Sequence, residues 1–184
     1  IFDEYSSNIV SSMTATNCTF ESSKNHTIYG YGLTFNMNGG EIINTYNNGN
    51  GYYALHTGSD YSYTSVSLSD VKITTDTASG IYAHKNTTLN NVEINANRSN
   101  SYGIYVYYGI TTMSGESKIN TPGTSANGVY FGENSQGTFT MNDGEINSGY
   151  IGINNASTNS DYTRNINVYN GKVIGKKYGI NQLS

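Results

Sequence analysis

GVYFGENSQGTFTMNDGEI, residues Gly128 to Ile146, is the stretch from which the fold can be read. It divides into three short strand-like pieces: Gly128-Val-Tyr-Phe131, Phe139-Thr-Met141 and Gly144-Glu-Ile146. In each, apolar and polar residues alternate, as a strand with one buried face requires. Asn142-Asp143 separates the second piece from the third, and two residues allow a bend but not a reversal of the chain. A chain that bends and runs on, piece after piece, is winding around a core.

The same three pieces recur along the chain. The third piece reads Cys18-Thr-Phe20, Gly40-Glu-Ile42, Val71-Lys-Ile73, Val92-Glu-Ile94, Ser117-Lys-Ile119, Gly144-Glu-Ile146 and Gly171-Lys-Val173. Its apolar ends are about 21 to 31 residues apart, within the range of solenoid repeats. Ahead of each lies a second piece, for example Phe35-Asn-Met37, Val66-Ser-Leu68, Thr111-Thr-Met113 and Ile166-Asn-Val168. The first piece recurs as Thr27-Ile-Tyr29, Ala54-Leu-His56, Gly80-Ile-Tyr82, Gly103-Ile-Tyr105, Gly128-Val-Tyr130, Gly152-Ile-Asn154 and Gly179-Ile-Asn181. About seven rungs of roughly 25 residues, three short strands each, result. This is an all-β chain: one right-handed parallel β-helix over residues 1–184, its hand following from the general handedness of parallel crossovers. Met13, Met37, Met113, Met141 and Cys18 fall at inward positions and read as core.

Two further columns test the register. Just before the third piece stand Asn17, Gly39, Asp70, Asn91, Asp143 and Asn170, with Gly115 in a rung that carries one extra residue, read as a bulge. These residue types tolerate a left-handed backbone, so one sharp bend is expected at that point of every rung. In the middle of the third piece stand Glu41, Lys72, Glu93, Lys118, Glu145 and Lys172. The sign alternates at every step, so stacked strands place opposite charges one above another, which specifies register more than it stabilises.

Composition agrees with a strand-and-turn architecture. The chain is 35% hydrophobic and only 12% charged, with 21 Gly, 18 Tyr and 1 Pro among 184 residues. A formal net charge of −4 speaks against a nucleic-acid partner. No run is long and apolar enough for a membrane helix, so this segment is not expected to insert into a bilayer. Cys18 is the single cysteine, which excludes an intramolecular disulfide. Five Asn-x-Ser/Thr strings are about as many as chance supplies in so Asn-, Ser- and Thr-rich a chain. The chain begins without Met and in mid-pattern and neither end carries a cap, so it is expected to be part of a longer solenoid whose open ends invite end-to-end self-association.

These columns resemble the pectin-lyase-like superfamily of parallel β-helices, whose asparagine-bearing turn is similar to the turn at Asn17, Asn91 and Asn170. Within that group, units such as NSYGIYV, TSANGVYF and NDGEINSG resemble the repeats of bacterial surface adhesins, including autotransporter passenger domains and Gram-positive β-helical surface proteins. The resemblance implies an extracellular or cell-surface location and a host or community glycan or protein as partner. Polysaccharide-degrading relatives and tail-spike-like proteins are the alternative, and a self-stacking filament unit is a second. The enzymes' Gly-His-Gly and Arg-x-Lys strings have no counterpart, no cofactor is called for, and the chain reads as non-catalytic. Asp70 and Asp143 serve turns, while Asp60 and Asp161 lie some four rungs apart, about 19 Å along the axis, too far to share one site.

Binding is expected on outward positions. The first piece stacks Tyr29, His56, Tyr82, Tyr105 and Tyr130, followed by Asn154 and Asn181, and Tyr102, Tyr107 and Tyr108 add aromatic surface nearby. Such a column suits sugar rings or a protein surface, and equally follows from the liking of Tyr for strands. Loops Thr57–Ser65 and Asn155–Asn165, carrying Tyr61 and Tyr162, are the longest excursions and the second place for recognition. The Thr14, Asn36, Ser67, Thr88, Thr112, Thr140 and Asn167 column reads as ordinary wet strand surface, and His26, His56 and His84 lack a carboxylate or thiol to complete a metal set.

Overall fold

Alternating inward apolar and outward polar residues close each repeat into a turn of strand. The computed structural model, which describes residues 11–58 and 65–183, is a parallel β-solenoid of about six turns. Among the described residues there is no helix. In chain order the strands are β1 (Ser11–Ser22), β2 (Ile28–Tyr31), β3 (Leu33–Asn44), β4 (Tyr53–Gly58), β5 (Ser65–Thr75) and β6 (Ser79–Ala83). They continue as β7 (Asn86–Asn90), β8 (Glu93–Ala96), β9 (Tyr102–Val106), β10 (Tyr108–Ser114), β11 (Lys118–Thr121) and β12 (Asn127–Phe131). The last are β13 (Gln136–Met141), β14 (Glu145–Ser148), β15 (Ile151–Asn155), β16 (Asn165–Val168), β17 (Lys172–Gly175) and β18 (Tyr178–Gln182).

Two sheets result. The first segments form a seven-stranded sheet, β2-β4-β6-β9-β12-β15-β18, and the second and third segments share an eleven-stranded one. In β1, β3 and β5 the second and third segments run on as a single bent strand, and from β7/β8 onward the bend separates them. The columns of the sequence are the columns of the structure. Phe35 pairs with Val66, Val66 with Thr87, and Thr111 with both Thr87 and Phe139, in parallel. The charged column is in register too: Glu41, Lys72, Glu93, Lys118, Glu145 and Lys172 are successive Cα partners. Glu93 also accepts a hydrogen bond from the Asn95 amide of its own strand at 2.8 Å.

Ile42, Ile73, Ile94, Ile119 and Ile146 form one buried column of the core, faced by Leu55, Ile81, Ile104, Val129 and Ile153 from the other sheet. Each such side chain contributes about 1.5–3 kcal/mol on burial, which makes these columns the main source of stability. Met37, Met113 and Met141 are buried as their positions predict, and Met13 and Cys18 are partly buried against the same core.

Glycines at the start of the first segment explain the recurring Gly-Ile-Tyr string. A Cβ on Gly103 would lie 2.6 Å from the Gly128 carbonyl oxygen and closer still to Ile119 Cγ2. Gly128 faces the Gly152 carbonyl at 2.6 Å in the same way, with Ile146 Cγ2 beside it. The third segment's isoleucines thus reach the first segment's backbone, and a side chain there would hold the sheets apart.

The bend before the third segment departs from the expected column in two turns. Asn17, Asp70 and Asn91 have φ of 50°, 56° and 54°, and Gly39 and Gly115 of 73° and 64°. Asp143 and Asn170 do not: there the left-handed residue is the following glycine, Gly144 at 112° and Gly171 at 100°. A glycine adopts that backbone without the Cβ penalty an Asp or Asn incurs, so it takes the position wherever it is adjacent. The extra residue of the Gly115 turn is also present. Five steps separate Met113 from Lys118, whereas four separate their partners Leu89 and Glu93. Ser117 closes this bulge, accepting from Val92 N–H at 3.0 Å and donating to the Ser114 carbonyl at 2.7 Å.

The corner between the third segment and the next first segment is polar inside, which the apolar pattern does not announce. Asn44, Thr75, Thr121 and Ser148 are buried there. Three of them donate to corner carbonyls: Asn44 to Asn25 at 2.8 Å, Thr75 to Ala78 at 2.7 Å and Ser148 to Ala126 at 2.7 Å. Leaving such a buried carbonyl unpaired costs roughly 1–3 kcal/mol, so these residues close the corner.

Candidate functional site: the aromatic face

Strand periodicity builds this face. With Ile or Leu turned inward, the next residue of every first segment points out, and parallel pairing stacks these residues one per turn. Tyr29, His56, Tyr82, Tyr105, Tyr130, Asn154 and Asn181 are successive Cα partners. The rings pack on each other. Centroids of Tyr29 and His56 are 5.1 Å apart with planes at 29°, those of His56 and Tyr82 4.5 Å apart at 10°, and those of Tyr82 and Tyr105 5.1 Å apart at 22°. Tyr130 then turns, meeting Tyr105 edge-on at 62° and stacking on Tyr102 at 4.4 Å and 10°.

Two flanking columns widen the face. Three residues before the central column stand His26, Tyr53 and Tyr102; two residues after it stand Tyr31, His84 and Tyr107. His26 lies 4.7 Å from His56, Tyr53 meets Tyr82 edge-on at 5.2 Å, and His84 stacks on Tyr107 at 4.9 Å. Sequence reading names Tyr102 and Tyr107 only as nearby and passes over Tyr31 and Tyr53. Extending the register by minus three and plus two would have found them.

The face is neutral and partly dry. Burial, and secondarily the charge of neighbouring His26, pushes the His56 imidazole down to about 4. His26 is lowered as well by burial, and its Nδ1 accepts the Tyr53 backbone N–H at 3.0 Å. Among the described residues, the buried His56 Nδ1 has no hydrogen-bond partner. Burial raises the Tyr53, Tyr82, Tyr102 and Tyr105 phenols, and raises Tyr130 to about 12. All five are therefore neutral hydroxyls at physiological pH, able to donate and to accept. Gly132 leaves room for the Tyr105 hydroxyl, which lies where a Cβ would stand. Beyond Tyr130 the column becomes an amide row: Asn181 donates to Asn154 at 2.8 Å, and Asn154 to Asn127 at 3.0 Å.

The remaining candidates lie elsewhere. Asp60 and Tyr61 fall outside the described residues. Tyr162 is half-buried in the loop between β15 and β16, lining a shallow hollow with Asn159, Arg164 and Gln182 rather than standing in the ring column. Arg164 pins that loop, donating to the Ser135 carbonyl at 3.1 Å and to the Asn159 carbonyl. Asp70 accepts from Ser69 and Asn91, and Asp143 from Gly144 N–H, so both serve turns. Among the described residues no three His, Cys, Asp or Glu side chains gather as a metal set, and no helix is long and apolar enough to cross a membrane.

No family model, curated protein or solved structure matches the chain. What these residues define is therefore a class, a parallel β-solenoid with a neutral aromatic face. Such a face can hold a partner by contact area and by hydroxyl hydrogen bonds.

Proposed function

We propose that this solenoid is a non-catalytic, rigid segment of a bacterial cell-surface or secreted protein, and that it holds an extracellular glycan or protein against its aromatic face. The adhesin-like repeats of the sequence support this reading, and one structural observation carries it. Five consecutive turns place an aromatic ring at one outward position, with no charged residue in that column, on a backbone fixed by parallel strand pairing. Aromatic side chains give large contact area at low entropic cost and dominate binding hot spots. A scaffold that moves little loses little further freedom when it binds.

The test is a binding scan over immobilised glycans, extracellular matrix proteins and intact cells, comparing the wild type with Tyr82→Ala/Tyr105→Ala/Tyr130→Ala. Circular dichroism checks that the variant is still folded. Hot-spot truncations of this kind cost about 2 kcal/mol or more, so binding should fall by at least about 30-fold. A folded triple variant that keeps wild-type binding removes the aromatic face from consideration. If the triple variant unfolds, Tyr82→Leu and Tyr105→Leu carry the comparison singly.

A further inference from the structure

We infer, resting on the binding reading above, that the ligand of the aromatic face is a neutral linear polysaccharide lying lengthwise along the solenoid, read by ring edges and hydroxyls rather than by ring faces. Ring orientation is the first observation. From Tyr29 to Tyr105 the planes of neighbouring rings differ by only 10° to 29° and the centroids by 4.5 to 5.1 Å, so each ring covers the face of the next. A single sugar or an ammonium group that needs an open ring face finds none inside this run. What the run offers a partner is ring edges: Tyr29 is exposed and His56, Tyr82 and Tyr105 are half-buried, with the Tyr105 hydroxyl turned to Gly132.

Translation is the second observation. The row repeats once per strand spacing, about 4.8 Å, so the five aromatic positions from Tyr29 to Tyr130 span about 19 Å. An extended β-linked hexose chain advances by nearly the same step per sugar. Successive sugars then each meet a ring edge on the run from Tyr29 to Tyr105, with apolar C–H groups against the edges and the phenols of Tyr29 and Tyr82 as partners for sugar hydroxyls.

Charge is the third. The central column contains no Lys, Arg, Asp or Glu, and Lys85 and Glu133 stand at its margins, one over the Tyr108 ring at 4.7 Å and the other beside Tyr130. Among the described residues of the row no cation stands to pair with the carboxylates of a uronate chain or with phosphates. The amides of Asn154 and Asn181 prolong the row beyond Tyr130 with neutral donors and acceptors.

The experiment is calorimetric titration of the whole chain with oligomers of β-1,4-linked glucose and of N-acetylglucosamine, from dimer to hexamer, against oligogalacturonate of the same lengths. Affinity for one neutral series should rise at least about tenfold from dimer to pentamer and then level off, because about four to five sugars fill the row. Oligogalacturonate should bind more weakly than the neutral series at every length. Tyr29→Phe and Tyr82→Phe keep the rings and remove the hydroxyls, and each should weaken pentamer binding several-fold. A dimer that binds as well as a pentamer, a preference for the uronate, or indifference to both Phe variants overturns the inference. If no oligomer binds while the scan finds a tyrosine-dependent protein, this inference falls and the aromatic-face reading stands. If neither experiment finds a tyrosine-dependent partner, both fall.

Discussion

Replacing Gly103 by Ala places a methyl group 2.6 Å from the Gly128 carbonyl oxygen and closer still to Ile119 Cγ2. Neither neighbour can step aside. The carbonyl belongs to the next strand of the same sheet, and Ile119 is 1% exposed within the core. Overpacking of this kind costs typically about 1–3 kcal/mol, and two fixed neighbours put Gly103 in the upper half of that range. Gly103 does not have a left-handed backbone, so Ala adds no φ penalty and returns about 0.4–1 kcal/mol by restricting the unfolded chain. The net expectation is a loss of about 1–2.6 kcal/mol. Gly51→Ala separates crowding from backbone strain, because Gly51 has φ of 81° and open space around it. It should lose about 1–2 kcal/mol from φ alone. Urea denaturation followed by far-UV circular dichroism measures both, and near-UV dichroism reports the tyrosines beside Gly103. Because the Gly103 variant must part the two sheets, it should alter the near-UV signal while Gly51→Ala leaves it unchanged. A Gly103→Ala protein within about 0.5 kcal/mol of wild type would show that the isoleucines do not press on the first segment's backbone, and the account of the Gly-Ile-Tyr string would fail.

Three further outcomes are expected. Asn91, at φ 54°, donates to Asp70 at 3.1 Å and accepts Glu116 N–H at 3.0 Å; Asn91→Gly should therefore be less destabilising than Asn91→Ala by about 1 kcal/mol, and equal losses in urea would remove the backbone argument. Because His56 titrates at about 4 in the folded chain and near 6.5 when unfolded, the unfolded state binds more protons between those values. Its contribution is complete above pH 6.5 and is lost as pH falls toward 4, so the melting temperature of His56→Gln should depend less on pH in that window than that of wild type, and parallel curves would refute this. Lys118→Glu sets three acidic residues in line with Glu93 and Glu145, at a cost of up to about 1 kcal/mol per neighbour that shrinks in high salt; a loss indifferent to salt would mean that packing, not charge, is responsible.

The columns were legible because a strand has period two and each turn repeats the one before it. The alternating charges from Glu41 to Lys172 fixed the register without coordinates, and every pair in that column is a Cα partner. Handing the bend to Gly144 and Gly171 was not legible, since Asp143 and Asn170 also tolerate a left-handed backbone and only geometry selects between neighbours. The polar corner residues were hidden for another reason. Thr75 and Ser148 occupy inward positions that an apolar pattern reserves for hydrocarbon, and the carbonyls they satisfy exist only once the chain has turned.

The sequence alone determined the architecture and the membership of the central ring column, because both follow from local alternation repeated at a near-constant interval. Tertiary structure decided what that column presents. Ring tilt is set by contacts between turns, such as Tyr102 on Tyr130 and the space above Gly132 for the Tyr105 hydroxyl, and these join residues about 25 apart in the chain. The union of His26, Tyr53, His84 and Tyr107 with the central column into one neutral face depends on the same contacts. Whether a tyrosine offers a partner its face or its edge is a property of its neighbours on adjacent turns, and no single repeat encodes it.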